Sequence, residues 1–391
     1  MRVPFLGVVV LCATAFVHAA AAAPADTFAV RWEPDQPSLL HAPNADPPAA
    51  GDSLPGPPYT ENHGSWLTDG TAGAAGCGNQ DCLSCRLCPC GYAYAESLFM
   101  TRTNGNATQP IFVDAGNGDR TLLSTSDLDF NWAPGMRVGA GVRMTDCLYL
   151  DFAYLGLFNS SASATMQPGI RPRFPLPLGS NSGAFQNTTA AQADYTSQLN
   201  SFELNLLRCD CCYWTDDCAD SPQARSVEWF GGFRFINLNE DLRITASSTL
   251  GLGEYSLWTN NNLYGAQLGT RVRRCYGRFG WEATGKAGIY GNEAQEKQTV
   301  LDCPDLYPVR PTVTGRGAQA AFVGEINLSA IYQLTKTWNI RAGYNLLWID
   351  GVALAPNQLD FTYNLPTTGR QLNTDGGVFY HGASIGLEAR W

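Results

Sequence analysis

The chain has 391 residues, a net charge of −10 and only 15% charged residues, against roughly 25% in an ordinary soluble domain. Beyond the N-terminal apolar stretch, no segment reaches the roughly 18–20 apolar residues that a membrane helix needs, and the chain has no basic run for nucleic acid. The composition therefore excludes a helical membrane bundle, a coiled coil and a nucleic-acid-binding module, and leaves an all-β protein.

The N-terminal region is predicted to consist of a signal peptide and a linker. Arg2, the apolar stretch Val3–Val17 and the alanines up to Ala23 have the pattern of a secretory signal over residues 1–23, which predicts Sec-type export. Residues 24–76 are rich in proline, with glycine, aspartate and alanine between the prolines. Such a composition cannot bury a core, so this linker is predicted to be disordered.

Cysteines form two clusters, one over residues 77–90 and one over residues 209–218. In an exported protein, disulfides are the expected state, although zinc, an iron–sulfur cluster and free thiols remain alternatives. No histidine interleaves the cysteines and their spacings do not repeat as two clean pairs, so no metal or other cofactor is predicted. The cysteines predicted to form disulfides are Cys77, Cys82, Cys85, Cys88, Cys90, Cys209, Cys211, Cys212 and Cys218.

Between residues 91 and 391 the sequence alternates between apolar and polar residues, which is the pattern of half-buried strands. The predicted strands lie near residues 92–101, 136–143, 148–154, 201–206, 227–235, 242–249, 253–260, 264–272, 279–289, 322–334, 338–348 and 379–391. A soluble sandwich would show the same alternation in one sheet. An open sheet edge in hydrocarbon costs several kcal/mol for each unpaired backbone group, so strands that cross a membrane must close into a barrel.

Three features favour a closed antiparallel transmembrane β-barrel of about twelve strands. Aromatic residues bracket apolar faces, as Trp338 and Trp348 do, in the way expected where lipid meets head groups. The last strand ends on an aromatic residue, so Leu387, Ala389 and Trp391 are predicted to form the C-terminal signal that the barrel assembly machinery reads. The third feature is the segregation of short turns from long loops.

Short turns and long polar loops fall on opposite ends of the predicted barrel, apart from tight hairpins at 239–241 and 261 on the loop side and the cysteine segment 209–225 on the turn side. This arrangement predicts that both ends of the barrel segment lie in the periplasm. The short turns are at 145–146, 250–252, 273–277 and 335–337, and the long loops are at 102–134, 159–194, 291–318 and 350–376.

Four segments carry a resemblance to a known family. They are Trp229–Glu240 (WFGGFRFINLNE), Asn261–Gly269 (NNLYGAQLG), Lys286–Asn292 (KAGIYGN) and Gly343–Ala355 (GYNLLWIDGVALA). Together they resemble the outer-membrane β-barrel porin family abundant in planctomycete-type bacteria, once described as similar to a Legionella major outer-membrane protein. The resemblance covers roughly residues 91–391. It implies an outer-membrane barrel and no particular substrate or catalytic residue.

The faces opposite the apolar ones carry equal numbers of acids and bases, which are predicted to line the lumen. These residues are Glu96, Arg137, Arg143, Asp151, Glu203, Glu228, Arg234, Arg243, Glu254, Arg271, Glu282, Lys286, Glu325, Arg341, Glu388 and Arg390. Unpaired charges are costly in a narrow lumen, so opposite charges should pair. The balance predicts a narrow, weakly ion-selective pore, or one occluded by its own side chains or by an infolded loop.

The predicted function is that of a porin-like outer-membrane barrel that passes small solutes or ions. The alternative is a non-conducting structural or adhesin-type barrel with functional surface loops; a soluble secreted β-protein is a further alternative. A barrel enzyme would need histidine beside serine or aspartate. Three of the four histidines precede the barrel and His381 falls on an apolar face, so no enzyme is predicted. The predicted partners are outer-membrane lipid and the assembly machinery, not nucleic acid, and the oligomeric state stays open.

Overall fold

The computed structural model describes residues 90–103, 108–145, 148–180, 183–209, 225–302, 307–363 and 372–391. The predicted signal, the linker and all of the 77–90 cluster except Cys90 lie outside the described residues, as do Cys211, Cys212 and Cys218. Cys90 is exposed and has no disulfide partner among the described residues. The disulfides therefore stay a prediction.

The described residues are almost entirely β-structure. The strands are β1 (Gly91–Arg102), β2 (Pro110–Asp114), β3 (Arg120–Ser124), β4 (Ala133–Thr145), β5 (Leu148–Thr165), β6 (Pro172–Arg173), β7 (Ala190–Cys209), β8 (Arg225–Ser248), β9 (Gly251–Tyr276), β10 (Phe279–Asp302), β11 (Tyr307–Pro308), β12 (Val313–Gln333), β13 (Trp338–Val352) and β14 (Gly376–Arg390). The helical turns are 3₁₀ helices at Thr125–Asp127, Leu178–Ser180 and Ala355–Gln358. Within the described residues, no helix has the length and apolar character needed to cross a membrane.

Ten long strands pair in a ring of antiparallel neighbours, in the order β10-β12-β13-β14-β1-β4-β5-β7-β8-β9. The pairing of β9 with β10, from Tyr276 opposite Phe279 to Glu254 opposite Leu301, completes the ring. Gly91 and Trp391 exchange backbone hydrogen bonds of 3.0 and 3.1 Å, so both ends of this segment meet at one end of the ring. We call this the terminal end and the opposite one the loop end.

The prediction of twelve strands was wrong, because the hairpins expected at 239–241 and 261 do not exist. Asn239 pairs with Asn260 and Glu240 with Thr259, in the middle of the continuous strands β8 and β9. These polar residues suit turns in isolation. Both strands instead run on, and turn near Leu250 at the loop end. The short turn at 250–252 was therefore assigned to the wrong end.

Two of the predicted long loops were drawn too long. Of the 36 residues 159–194, 12 belong to β5 and β7 and a long connection remains between them, whereas 18 of the 28 residues 291–318 belong to β10 and β12. These strands extend past the part of the ring whose outer face is apolar. The strands were predicted to be too short because their outward residues are polar on the loop side of Ile289 in β10 and of Phe202 in β7, so the apolar alternation stops there.

An apolar band surrounds the outer face of the terminal half of the ring. Leu268 and Ile289 are 75% and 74% exposed, and Leu328 is 54% exposed. On β12 the band runs from Phe322 to Tyr332, close to the roughly 9–11 residues with which a tilted strand crosses hydrocarbon. The outer face beyond the band is polar, which indicates water on that side.

The loop end holds a packed body of its own. The strands β2, β3 and β6 form a small sheet there. A buried apolar cluster joins residues of this sheet, such as Phe112 and Leu123, to residues on the extensions of β7, β8 and β9, such as Tyr195, Ile244 and Tyr255. The loop end is therefore folded around a core.

We expect an arginine at Leu328 to lower the free energy of unfolding by about 2–4 kcal/mol, because its guanidinium would face hydrocarbon. Ala318 is the matched control, since it is exposed on the same face of β12 but lies outside the band. Ala318→Arg should cost less than about 1 kcal/mol. Urea titration of the protein folded into lipid vesicles measures both values, and equal costs would contradict the position of the band.

The small sheet should loosen in acid because of Asp114. Its carboxylate accepts hydrogen bonds from the backbone amides of Ile170 and Arg171, at 3.0 and 2.9 Å, and these bonds lower the pKa of Asp114 below its ordinary value of 3.8. The stabilisation is therefore complete at neutral pH and is lost as the pH falls below 3.8 through the lowered pKa.

Amide hydrogen exchange at Ile170 and Arg171 measures this effect as protection factors across the pH range. Asp114→Asn should remove the acid-dependent step. Protection that falls already between pH 7 and pH 5, or that falls in the same way in Asp114→Asn, would contradict the role of Asp114.

Candidate functional site

The interior of the ring contains two distinct layers, and the layer nearer the terminal end is charged. Glu325 on β12 lies 3.0 Å from an Arg137 nitrogen, 2.9 Å from an Arg234 nitrogen and 3.1 Å from Lys286 Nζ. Strands β4 and β12 lie nearly opposite each other in the ring, four places apart. These ion pairs therefore reach across the lumen.

A second centre of the charged layer is Arg341 on β13. Its Nε lies 3.0 Å from Glu96 Oε1, its Nη2 lies 2.6 Å from Glu282 Oε1, and it also contacts Glu388. Glu96 in turn lies 3.4 Å from Arg137, which joins the two centres into one network. Removing charges from water is expensive, and here each carboxylate regains several charge-assisted hydrogen bonds.

Twelve of the sixteen residues predicted to line the lumen take part in this charged layer by ion pairs. Asp151 accepts a hydrogen bond of 2.5 Å from Tyr92 instead. Arg143 lies at the rim, 3.4 Å from Cys90 Sγ. The twelve are Glu96, Arg137, Glu203, Glu228, Arg234, Arg271, Glu282, Lys286, Glu325, Arg341, Glu388 and Arg390. Their role as a pore lining stays a prediction.

The inward placement of Arg243 and Glu254 was wrong. Their neighbours Leu242, Ile244 and Tyr255 are fully buried, and Arg243 itself has a side chain 56% exposed, 3.6 Å from Glu254. The reason is that the polarity of the two faces reverses along β8 and β9. Inside the band the outer face meets lipid and is apolar, whereas beyond it the outer face meets water and the apolar residues turn inward.

Sequence reasoning missed Arg273, Arg102 and Glu240. Arg273 was assigned to a turn, but it continues β9 and bonds Glu282 and Glu388 from the inside. The alternation of Gln267, Gly269 and Arg271 carries on to it and could have indicated this position. Arg102 and Glu240 were assigned to a loop and a turn.

The second interior layer is apolar and lies on the loop side of the charged one. Nine of the ten ring strands contribute to it. Its members are buried and include Leu98, Leu155, Leu199, Ile236, Leu238, Leu263, Tyr290, Val323, Leu347, Ile349, Val378 and Tyr380. Ions and their hydration water find few hydrogen-bond partners against side chains of this kind.

An inserted segment, Ala353–Leu359, fills the ring above the apolar layer. Its residues are buried apart from the partly exposed Asn357. Asn261 forms two hydrogen bonds with the backbone of Ala353. Its Oδ1 accepts one of 2.7 Å from the Ala353 amide, and its Nδ2 donates one of 2.8 Å to the Ala353 carbonyl. Asn292 donates to Asn261 Oδ1 and to the carbonyl of Gly351, at 3.0 and 2.9 Å. The 350–376 loop predicted to lie on the surface therefore begins inside the ring.

A buried ion pair fixes the same segment through the neighbouring strand β8. Arg102 and Glu240 lie 2.5 Å apart and neither side chain is exposed. Tyr195 donates a hydrogen bond of 2.6 Å to Glu240 Oε2, which also accepts one of 2.8 Å from the Ala355 amide. The pair ties β1, β7 and β8 to the inserted segment.

A small polar cavity remains within the charged layer. Its volume is about 80 Å³, room for only a few water molecules. Tyr92, Tyr94, Asp151 and Arg271 are among its lining residues, and Arg271 pairs with Glu228 at 3.1 Å. The cavity suits water and small polar groups.

The described residues contain one histidine and no cluster suited to a metal ion. This histidine is His381, whose Nδ1 lies 2.7 Å from the Tyr344 hydroxyl on the outer face. The described residues bring together no group of three or more His, Cys, Asp or Glu side chains that could hold a metal ion. The absence of enzymatic activity stays a prediction.

The predicted assembly signal lies at the terminal end of β14. Leu387 and Trp391 are exposed on the outer face, and Ala389 is buried. Its recognition by the assembly machinery stays a prediction.

Comparisons with known proteins identify one family. The model of "Putative beta barrel porin-7 (BBP7)" matches residues 96–391, which confirms the resemblance predicted from the four segments. No curated protein matches the chain.

Several solved outer-membrane proteins are distantly similar. The outer-membrane protease OmpT of Escherichia coli is 14% identical with a TM-score of 0.45, over 77% of this chain and 96% of that one. A FadL homologue of Pseudomonas aeruginosa is 7% identical with a TM-score of 0.22, over 77% and 89%. The toluene transporter TodX of Pseudomonas putida is 8% identical with a TM-score of 0.15, over 79% and 91%. These scores are all below 0.5, so neither the protease nor the transporters inform the function of this chain.

We expect Glu325→Gln to lower the free energy of unfolding by about 3–5 kcal/mol, because three buried cations would lose their shared carboxylate. The matched control is Glu254→Gln, which removes an exposed ion pair and should cost less than about 1 kcal/mol. Urea unfolding in vesicles measures both variants. Equal, small losses would show that the charged layer does not hold the ring together.

Proposed function

Since the chain belongs to the β-barrel porin-7 family, we propose that it is an outer-membrane barrel that is closed to solutes and serves as a rigid anchor for its folded loop end. The observation that carries this proposal is the apolar layer, which has contributors from nine of the ten ring strands. The apolar band on the outer face and the family both support an outer-membrane location.

Closure is supported at three successive depths. Ion pairs cross the lumen at Glu325, buried apolar side chains fill the next level, and the inserted segment occupies the level above. Opening a passage would separate buried hydrogen-bonded groups such as Glu240 and Asn261 from their partners. Each such loss costs about 1–3 kcal/mol, so these losses together oppose spontaneous opening.

The structure of the loop end supports the anchoring role. The small sheet packs on the extensions of β7, β8 and β9 around buried aromatic residues, with the rings of Phe174 and Phe185 stacked 4.0 Å apart. A fold of this kind presents a fixed surface to the outside of the membrane.

Porin-like passage of small solutes or ions is the second candidate. The polar cavity and the balanced charges of the charged layer favour it, since they provide a hydrated vestibule at the terminal end. Under this candidate the inserted segment is a gate, and passage needs its displacement together with a rearrangement of the apolar layer.

Planar-bilayer recording separates the two candidates. We expect the full chain to show no conductance steps. A variant in which residues 353–362 are replaced by a short glycine–serine linker should also stay silent, because the apolar layer and the cross-lumen ion pairs remain.

Conductance in the linker variant alone would support the gated candidate, and conductance in the unmodified chain would overturn closure altogether. Circular dichroism and heat-dependent migration on gels establish that each silent preparation contains folded barrel. A further control is Ala318→Arg, which changes the outer surface and should leave the recordings unchanged.

A further inference from the structure

A group of basic and aromatic side chains lies at the edge of the apolar band that faces the terminal end. Arg274 and Tyr276 belong to β9, Arg278 lies in the β9–β10 turn, and Lys336 lies in the turn between β12 and β13. The two turns adjoin, since the Gln333 amide donates a hydrogen bond of 2.9 Å to the Arg278 carbonyl. Together with Trp281, we call these residues the basic–aromatic patch.

The depth of the patch places its charges at the level of lipid head groups. Arg274 alternates with the buried Arg273 and Cys275 and therefore points outward, where Trp281 is its cross-strand partner. Tyr276 and Trp281 are 47% and 41% exposed. Tryptophan and tyrosine favour the boundary between hydrocarbon and head groups, so the arginines beside them face phosphates.

Arg274 also has hydrogen-bonding capacity that the described residues do not use. Its guanidinium carbon lies 5.2 Å from the centre of the Tyr276 ring, and its guanidinium has no hydrogen-bond partner among the described residues. The terminal nitrogens of such a guanidinium form a fork of donors that matches a phosphate group.

The charge of the patch has one sign. The residues 274–281 and 334–338 include Arg274, Arg278 and Lys336 and contain no aspartate or glutamate. The acids closest in the strands, Glu282 and Glu388, are buried inside the ring, where they pair with Arg273 and Arg341. The described residues of the patch therefore carry positive charge on the outer surface.

We propose that the basic–aromatic patch binds the head group of an anionic phospholipid in the leaflet at the terminal end. The phosphate would accept hydrogen bonds from Arg274 and Arg278, Lys336 would add charge, and the acyl chains would lie along the apolar band. The inference depends on the membrane location and not on whether the lumen conducts.

Native mass spectrometry of the full chain tests this proposal. The protein is folded into vesicles of phosphatidylcholine with one quarter phosphatidylglycerol, extracted in mild detergent, and examined for retained lipid. Each basic side chain near an anionic surface is worth about five-fold in binding, so Arg274→Gln/Arg278→Gln should reduce the preference for phosphatidylglycerol about 25-fold. Arg274→Lys/Arg278→Lys should keep more of the preference than the glutamine variant and less than the unmodified chain, because it keeps the charge and loses the fork.

The matched control is Arg243→Gln/Arg316→Gln, which removes two outward arginines beyond the band near the loop end and should leave the preference unchanged. The proposal is overturned if the first double variant retains the same ratio of the two lipids, or if the control loses as much. Circular dichroism confirms that all variants are folded. If the double glutamine variant fails to fold, the single variants Arg274→Gln and Arg278→Gln provide the test, because each should reduce the preference about five-fold and an unchanged preference in both would overturn the proposal.

Discussion

Backbone hydrogen bonding in the absence of water is the constraint on which the rest of this structure depends. In hydrocarbon, an unpaired strand edge costs several kcal/mol for each free amide or carbonyl, so the ten strands pair all the way round and β9 meets β10. Once the ring is complete, every side chain has only two directions available. The alternation of inward and outward residues then decides what the protein presents to lipid and what it must pack inside.

The small circumference of the ring explains why its interior is paired and packed. Ten strands enclose less space than the sixteen or more strands of a wide porin. Carboxylates such as Glu325 and Glu96 therefore lie within 3.4 Å of arginines on other strands, with little room for hydration. The same narrowness lets side chains as short as leucine and isoleucine meet across the apolar layer. A wider ring with the same residues would leave its charges in water.

The sequence was sufficient for the fold class and for most of the charged layer, because both follow from period-two alternation next to lipid. Glu325, Arg341 and Lys286 could be placed inside since their strand neighbours are plainly apolar. The number of strands could not be predicted, because Asn239 and Asn260–Asn262 look like turn residues until their cross-strand partners are known.

Arg243 was misplaced because alternation defines two faces of a strand and does not show which of them contacts water. Beyond the apolar band the outside is water, so the same rule assigns apolar residues to the interior and charges to the surface. The inserted segment could not be predicted from the sequence either, because burial of Ala353–Leu359 depends on partners more than 90 residues away, such as Asn261. Local pattern carries no information about contacts of that range.

The four segments that carry the family resemblance meet at the inserted segment. Glu240 ends the first segment, Asn261 begins the second, Asn292 ends the third, and Ala353 and Ala355 lie at the end of the fourth. Glu240 binds the Ala355 amide, Asn261 binds Ala353, and Asn292 binds Asn261. Residues by which the chain is recognised are thus residues that hold the segment inside the ring. These contacts fill the lumen above the apolar layer, and the proposed closure of the ring depends on them.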